Sequence, residues 1–461
     1  MAGGTWTSQN KVLPGVYINV QSQDSVNISV GERGTVAIPK ALSWGPVGEV
    51  QEITPGDSLE KYIGYAITDS EALFLREMMK GSDVTSGPNK ILLYRVAGTG
   101  GVAATITVGS LTVTALYEGV RGNDITIVVT ADPDNAGYYD VNTVLDGYIV
   151  DSQYVNDLNN LEANAWVNFE VAEPAEGEAP VITTTVGTPL AGGVDPVPAA
   201  ANYAAFLTAI EPYEFDILAY DGTDSTVITA FSQFIARVNN SVGRKCQAVM
   251  AGSAAALNSK FVIAVQNGVV LGDGTELSAQ QAVWWVAGAE AGARYNQSLT
   301  YAQYPGAVSA NPKLTETQAA QAVANGMLCF IDTFGIVKIC TDIDSKTTVI
   351  PKEGAEFKKN RVMRVINQFC NDTFRYFSSY FVGKVDNNDN GRGLLRAWII
   401  GYLNEMQANN GIQNFVAEDV SVEPGQAIDA VIVNVAIQPV DAIEKIYMTV
   451  TVTTAGAITV A

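Results

Sequence analysis

No histidine occurs anywhere in the 461 residues of this chain. Histidine has the unperturbed side-chain pKa nearest neutrality and is the commonest metal ligand and acid–base group. Without it, Ser-His-Asp and Cys-His nucleophiles are excluded and metal-assisted hydrolysis is disfavoured; chemistry using Asp, Glu, Lys or Tyr stays open. Cysteine is scarce: Cys246, Cys329, Cys340 and Cys370 include no C-x-x-C pair. They read as reduced, mostly buried small hydrophobes, with no metal or disulfide role expected. Basic residues are in deficit, 27 Lys and Arg against 48 Asp and Glu, for a net charge of −21. That balance disfavours nucleic acid and anionic membrane as partners. No stretch approaches the ~18 consecutive apolar residues of a membrane-spanning helix. Met1 to Asn10 is polar and lacks a signal-peptide core, so synthesis in a cytoplasm, without signal-peptide secretion or direct membrane insertion, is expected. The phosphate-binding patterns G-x-x-x-x-G-K-[ST] and G-x-G-x-x-G and the nucleophile pattern G-x-S-x-G are missing. Asp386-Asn387-Asn388-Asp389-Asn390-Gly391 begins like a calcium loop, but its twelfth position is Ala397, where a bidentate Glu must sit. It reads as a turn between helices, and no cofactor or metal is expected.

At 47% apolar and 16% charged residues, the chain has ample material for cores, and its length suggests about three domains. Charge is unevenly placed. Residues 97–195 hold one basic side chain, Arg121, and fourteen acidic ones, a local net of −13; residues 346–396 hold ten basic and five acidic, a local net of +5. Such asymmetry points to modules facing different surroundings. After the buried-strand run Ile91–Val96, short strands at 105–116 and 125–130, separated by turn residues, predict a small all-β insertion closing at Leu190-Ala191-Gly192-Gly193. It reads as a solubilising surface decoration, dispensable for folding and polymerisation. From Asn202 strands and helices alternate, the rhythm of a sheet with helical layers. Helices are expected at 203–210, through Val227, Phe231, Ile235 and Val238, after the cap Ser278, and at 315–325. Strands are expected at 215–220, 246–251, 261–265, 327–332 and 336–340. Trp284 and Trp285 read as core.

Beyond Pro351 a long helix buries Val362, Val365, Ile366, Phe369, Phe377 and Tyr380 on one face. Arg361, Arg364 and Arg375 lie on the opposite stripe, either a solvated face or a docking surface for an acidic partner. A second helix, 392–407, buries Leu394, Leu395, Trp398, Ile399, Tyr402 and Met406, and a strand follows at 430–437. The two chain ends match each other. Near the N-terminus, Val16, Tyr17, Ile18 and Val20 belong to a short strand. Near the C-terminus, Ile446, Met448, Val450 and Val452 alternate with Tyr447, Thr449 and Thr451 at the period of a half-buried strand, with a further short run at Ile458–Val460. Terminal strands fray unless something pairs with them. The partners lie either in the same subunit, giving an ordinary domain, or in neighbouring subunits, giving a polymer built by strand addition.

The order of modules carries a resemblance. Leu13-Pro14-Gly15-Val16-Tyr17 precedes Gly31-Glu32-Arg33-Gly34 and Ser43-Trp44-Gly45-Pro46; the β-rich insertion returns at Leu190-Ala191-Gly192-Gly193; an α/β core, two helices and a terminal strand follow. This resembles the contractile tail sheath proteins of bacteriophages and R-type bacteriocins, particularly those of Gram-positive bacteria. The resemblance implies a multidomain α/β (α+β) fold. Its parts are an N-terminal linker arm (1–22), the N-terminal part of the sheath core (23–97), a β-rich surface insertion (98–192), the α/β core (193–345), a tube-facing two-helix domain (346–440) and a C-terminal linker arm (441–461). It implies a non-enzymatic subunit of a six-fold helical homo-oligomer around an inner tail tube, with baseplate and tail terminator proteins as further partners, in a virion tail or bacteriocin particle. In such proteins the arms complete a small sheet in neighbouring subunits, which maps onto Val16, Tyr17, Ile18, Val20 and Ile446, Met448, Val450, Val452. Flexible roots are expected at Gln21–Gln23 and Gln438–Asp441, and Arg361, Arg364 and Arg375 would dock the tube or a neighbour. Two other readings remain: a non-contractile lattice protein, and an α/β enzyme using Asp216, Asp221 or Asp273.

Overall fold

The computed structural model describes residues 2–4, 15–17, 31, 33–173, 180–252 and 257–452. The chain divides into a larger unit, Glu32–Ser379 with Pro439–Ala461, and a smaller one, Met1–Gly31 with Tyr380–Gln438. The division falls inside the segment 346–440 expected to form one domain: the helix Asn360–Tyr380 belongs, through Ser379, to the larger unit.

The larger unit is organised by a seven-stranded sheet. Its spatial order is Met327–Leu328, Val262–Val265, Gln247–Ala251, Ile217–Tyr220, Thr35–Lys40, Lys90–Arg95, Val50–Ile53. All neighbours run parallel except the last pair. Strands such as Ile217-Leu218-Ala219-Tyr220 are buried along their whole length, as parallel strands covered on both faces must be. One face packs on the helix Ala279–Gly292, whose residues 282–291 are all buried; Ser278 and Gln281 cap it reciprocally, as the sequence suggested. Its small residues permit close approach: a Cβ on Gly288 would lie 1.8 Å from the Met78 carbonyl oxygen of the helix Leu73–Met79. Trp285 stacks on Tyr304 with ring centres 4.4 Å apart and donates to the Gly81 carbonyl. Trp284 donates to Asp221 at 2.7 Å. The other face is covered by Ala200–Ile210 and Ser225–Arg237, through Phe206, Phe231 and Ile235.

The insertion is a β-sandwich. One sheet orders Tyr148–Val155, Tyr139–Leu145, Thr126–Ala131 and Thr188–Pro189; the other orders Val167–Val171, Leu111–Glu118 and Ala103–Val108. Its incoming and returning chains pair antiparallel at Thr99 with Val197, Val102 with Val194 and Thr105 with Ala191. The sandwich is not merely appended. Trp44, 1% exposed, sits in its core and stacks on Trp166 with ring centres 5.2 Å apart. Arg121, the lone basic residue of the segment, is buried, donates to the Gly64 carbonyl at 2.7 Å and pairs with Asp124 and Asp146. Arg95 reaches the Leu42, Gly45 and Glu118 carbonyls.

In the smaller unit Asn388 caps the helix Asp389–Ala408 by accepting from the Gly391 amide at 2.9 Å, so the Asp/Asn run is a helix start. Trp398, Ile399, Tyr402, Leu403 and Met406 are buried, but Leu394 is 61% exposed, contrary to its expected core position. An antiparallel ribbon, Val420–Pro424 with Val431–Val435, packs on this helix. Gly15–Tyr17 pairs in parallel with Ala2–Gly4. Ile18, Val20, Gln21–Gln23 and Ile458–Val460 lie outside the described residues. No helix among the described residues is long and apolar enough to cross a membrane.

Candidate functional site

The segment from Asp441 to Val452 is built as an anchored root followed by an unpartnered run. The root is electrostatic. The Lys359 ammonium pairs with Glu444 and lies 3.8 Å from Asp441. The Thr300 hydroxyl donates to Glu444 at 2.7 Å and accepts from the Asp342 amide at 2.9 Å. Lys359 stands just before the helix Asn360–Tyr380, so the segment is anchored beside a rigid element of the larger unit. Beyond Glu444 both faces of the expected strand are open: Ile446 is 82% exposed, Met448 80%, Val450 74% and Val452 89%, and Tyr447 91%. Among the described residues the half-buried strand read from the alternation is not formed; 439–452 carries no strand. The flexible root expected at Gln438–Asp441 is bounded by this anchor.

The root of the N-terminal segment is fixed as well. The Gly34 and Thr35 amides donate to Asp216 at 2.8 and 3.1 Å, and the Arg33 guanidinium lies 3.8 Å from the same carboxylate. Gly34 has φ +134°, and a Cβ there would lie 2.9 Å from the Asn89 backbone nitrogen, so only glycine fits. This gives the Gly-Glu-Arg-Gly stretch a physical role. Of the expected N-terminal site, Val16 and Tyr17 lie in the strand Gly15–Tyr17.

The smaller unit holds a short ribbon. Among the described residues the ribbon Val420–Pro424/Val431–Val435 has two strands, and such ribbons are marginal alone. Ile432 is 48% exposed, Val433 36% and Ile428, in its loop, 95%. The Arg396 guanidinium fixes one strand by donating to the Val420 carbonyl at 2.8 Å and to that of Ala417.

Of the arginine stripe, Arg364 does not reach the surface. Arg364 is fully buried and pairs with Glu290 and, at 2.6 Å, with Asp342; it also donates to the Gln297 carbonyl at 2.7 Å. It cannot meet a tube from there. The helix misleads because its first half is buried nearly all round, Val362, Met363, Val365, Asn367 and Gln368 included, while Tyr380 at its other end is 60% exposed. Burial and the nearby Asp342 push the Glu290 carboxyl well above the ordinary range. Burial opposes ionisation of Asp342 too, but Arg364 and the Leu299 amide hold it below. Arg361 is half-buried, with Asp441 among the charges acting on it. Arg375 is half-exposed and pairs with Glu214 at 3.0 Å and Asp372 at 3.1 Å.

The carboxylates of the enzyme reading are not brought together. Asp216 and Asp221 flank opposite ends of the strand Ile217–Tyr220, the first holding Gly34 and Thr35, the second Lys40 and Trp284. Asp273 accepts from the Thr275 amide in a turn. The ion pair at Glu444 and the triad at Arg364 had no local sequence signal, because their members are 85, 74 and 22 residues apart.

Family profiles match the chain in four consecutive blocks: the tail sheath protein Gp18 domain III N-terminal region at 33–96, the phage tail sheath β-sandwich domain at 99–195, the central domain at 197–343 and the C-terminal domain at 352–453. The sheath tail protein of Desulfitobacterium hafniense is 38% identical, with a TM-score of 0.83 over 94% of this chain and 99% of that one. The phage-like element PBSX protein XkdK of Bacillus subtilis strain 168 is 32% identical over 95% of this chain and 96% of its own. The helical sheath of the anti-feeding prophage in its contracted state shares the fold at 13% identity, with a TM-score of 0.55 over 96% of this chain and 99% of that chain. With its α/β body, β-sandwich insertion and C-terminal helices in that order, the chain belongs to the phage tail sheath protein family.

Proposed function

We propose that this protein is a structural, non-catalytic subunit of a contractile sheath: copies polymerise with six-fold helical symmetry around an inner tail tube by exchanging β-strands, and the lattice contracts to drive the tube through a cell envelope. One observation carries the reading. A segment of strand composition leaves an ion-paired root and exposes Ile446, Met448, Val450 and Val452 to water. Burying four such side chains is worth about 6–12 kcal/mol as an upper bound, and each main-chain hydrogen bond adds a net ~0.5–1.5 kcal/mol. That suffices to hold neighbours while subunit bodies shift. The two-stranded ribbon Val420–Pro424/Val431–Val435 is the acceptor this reading favours, because among the described residues it pairs no third strand and it exposes Ile432 and Val433. Val16, Tyr17, Ile18 and Val20 would add from another copy. The shared fold with a contracted helical sheath and with a baseplate chain of the anti-feeding prophage is in keeping with a place in a tail or bacteriocin particle; baseplate and terminator partners and assembly in the host cytoplasm belong to the same proposal.

Truncation after Lys445 tests this. The root Lys359–Glu444 stays intact, so the subunit should melt within a degree or so of the full chain, yet form no tubes by electron microscopy. Ordered cylinders from the truncated protein would overturn the strand-exchange reading.

A further inference from the structure

Two of the four cysteines are placed otherwise than as isolated small hydrophobes. The strands Phe330–Thr333 and Ile336–Ile339 form a hairpin with Phe330 opposite Ile339. The next pair along that register is Cys329 and Cys340, and the Cys340 amide donates to the Cys329 carbonyl at 2.8 Å. Directly opposed residues of such an antiparallel pair have Cα atoms about 5.5 Å apart, within the span of a disulfide. Both thiols are free.

The two sulfurs differ in the way an oxidisable pair requires. Cys329 is fully buried, while Cys340 is half-buried and so reachable. The neighbouring Cys329 thiol lowers Cys340 to about 7, and Cys340 in turn pushes Cys329 up. A reachable thiolate beside a resolving thiol is the arrangement of redox-sensitive cysteines. Cys246, fully buried, is pushed up to about 12 by burial, and Cys370 is pushed up by burial as well.

We propose that Cys329 and Cys340 form an intramolecular disulfide when the protein meets a peroxide, making this cross-strand pair an oxidative modification site. The Cys340 thiolate attacks one peroxide oxygen, the O–O bond breaks, and the departing hydroxide takes up a proton as water; Cys340 is left as a sulfenic acid. The Cys329 sulfur then attacks the Cys340 sulfur, the S–O bond breaks, and a second water leaves with the Cys329 proton. Two thiols lose two electrons in all and one peroxide becomes two waters. Cys340 lies two residues before Asp342, whose amide holds Thr300 against Glu444. The new bond therefore restrains the segment that leads from the hairpin to Asp342.

The test treats the full-length protein with hydrogen peroxide, quenches it, and counts thiols by alkylation after denaturation. Alkylation of two cysteines instead of four, a mass lower by two hydrogens, and a non-reducing peptide joining Cys329 to Cys340 are expected, all reversed by dithiothreitol. Amide exchange across 326–345 should slow in the oxidised protein. In Cys329→Ser the same treatment should add one oxygen to Cys340 and form no intramolecular bond. Four alkylated cysteines after treatment, a disulfide involving Cys246 or Cys370, or oxygen addition at Cys340 in the unmodified chain without the joined peptide would overturn the proposal. The wild-type peptide map decides the matter even if the variant fails to fold.

Discussion

Arg364 carries its charge to a place that water does not reach, between Glu290 and Asp342. Burying ions costs several kcal/mol each, and only close pairing offsets it. Arg364→Met should therefore lower stability by about 3–5 kcal/mol at neutral pH, because it strands two carboxylates. Denaturant melts would show the loss, and Glu290→Gln in the same chain should recover part of it. Glu290 sits above its unfolded pKa, so protonation on acidification relieves the buried charge and the deficit of Arg364→Met should shrink as pH falls. Asp344 is a simpler case. One of its oxygens accepts from the Lys346 amide, while the other is buried without a partner, and burial raises its carboxyl well above the ordinary range. A carboxyl raised on folding contributes stability below its unfolded pKa and loses it as pH rises through the folded value. Asp344→Asn should thus stabilise the protein at neutral pH by about 1–3 kcal/mol, a gain that melting curves should show fading toward the ordinary carboxylate range.

At the scale of elements, period and punctuation carried far. The runs at 215–220, 246–251 and 261–265 became central strands, and Ser278 became a helix cap, because buried parallel strands are uniformly apolar and caps are local. Faces were harder to read. The helix Asn360–Tyr380 looks amphipathic, yet its first half is enclosed, since the acids that neutralise Arg364 come from distant segments. The C-terminal segment alternates like a half-buried strand, yet no described part of its own chain covers it. The β-rich insertion was expected to be a removable ornament. Trp44 changes that expectation, for it lies in the insertion's core. Trp44→Ala should cost about 3–5 kcal/mol, and deleting 98–192 should lower the melting temperature of the remaining body, because Trp44 would then face solvent and Arg95 would lose the Glu118 carbonyl. A deletion variant as stable as the full chain by thermal melting would restore the ornament view.

For the whole molecule, the segregation of charge is the feature with assembly consequences. The segment 97–195 is strongly acidic and 346–396 basic, but the basic excess is partly consumed internally, by Arg364 in its triad and Lys359 at the arm root. Arg361 and Arg375 are the stripe residues left with any exposure. If they face an acidic tube or neighbour, Arg361→Glu with Arg375→Glu should weaken sheath-on-tube assembly in sedimentation or electron microscopy, more so at low salt than at high. Assembly that is unchanged at moderate salt would remove both from that role.

The salt bridge at Glu444 also sets a measuring length. Eight residues, Lys445 to Val452, extend past it among those described, and a fully extended chain spans at most about 3.3–3.6 Å per residue, or roughly 26–29 Å. Whatever those side chains grip must come within that radius of Lys359. A tug on the tail would meet the ammonium–carboxylate contact first and pass into the base of a 21-residue helix, so the tether ends at a fixed cleat and does not pay out as slack.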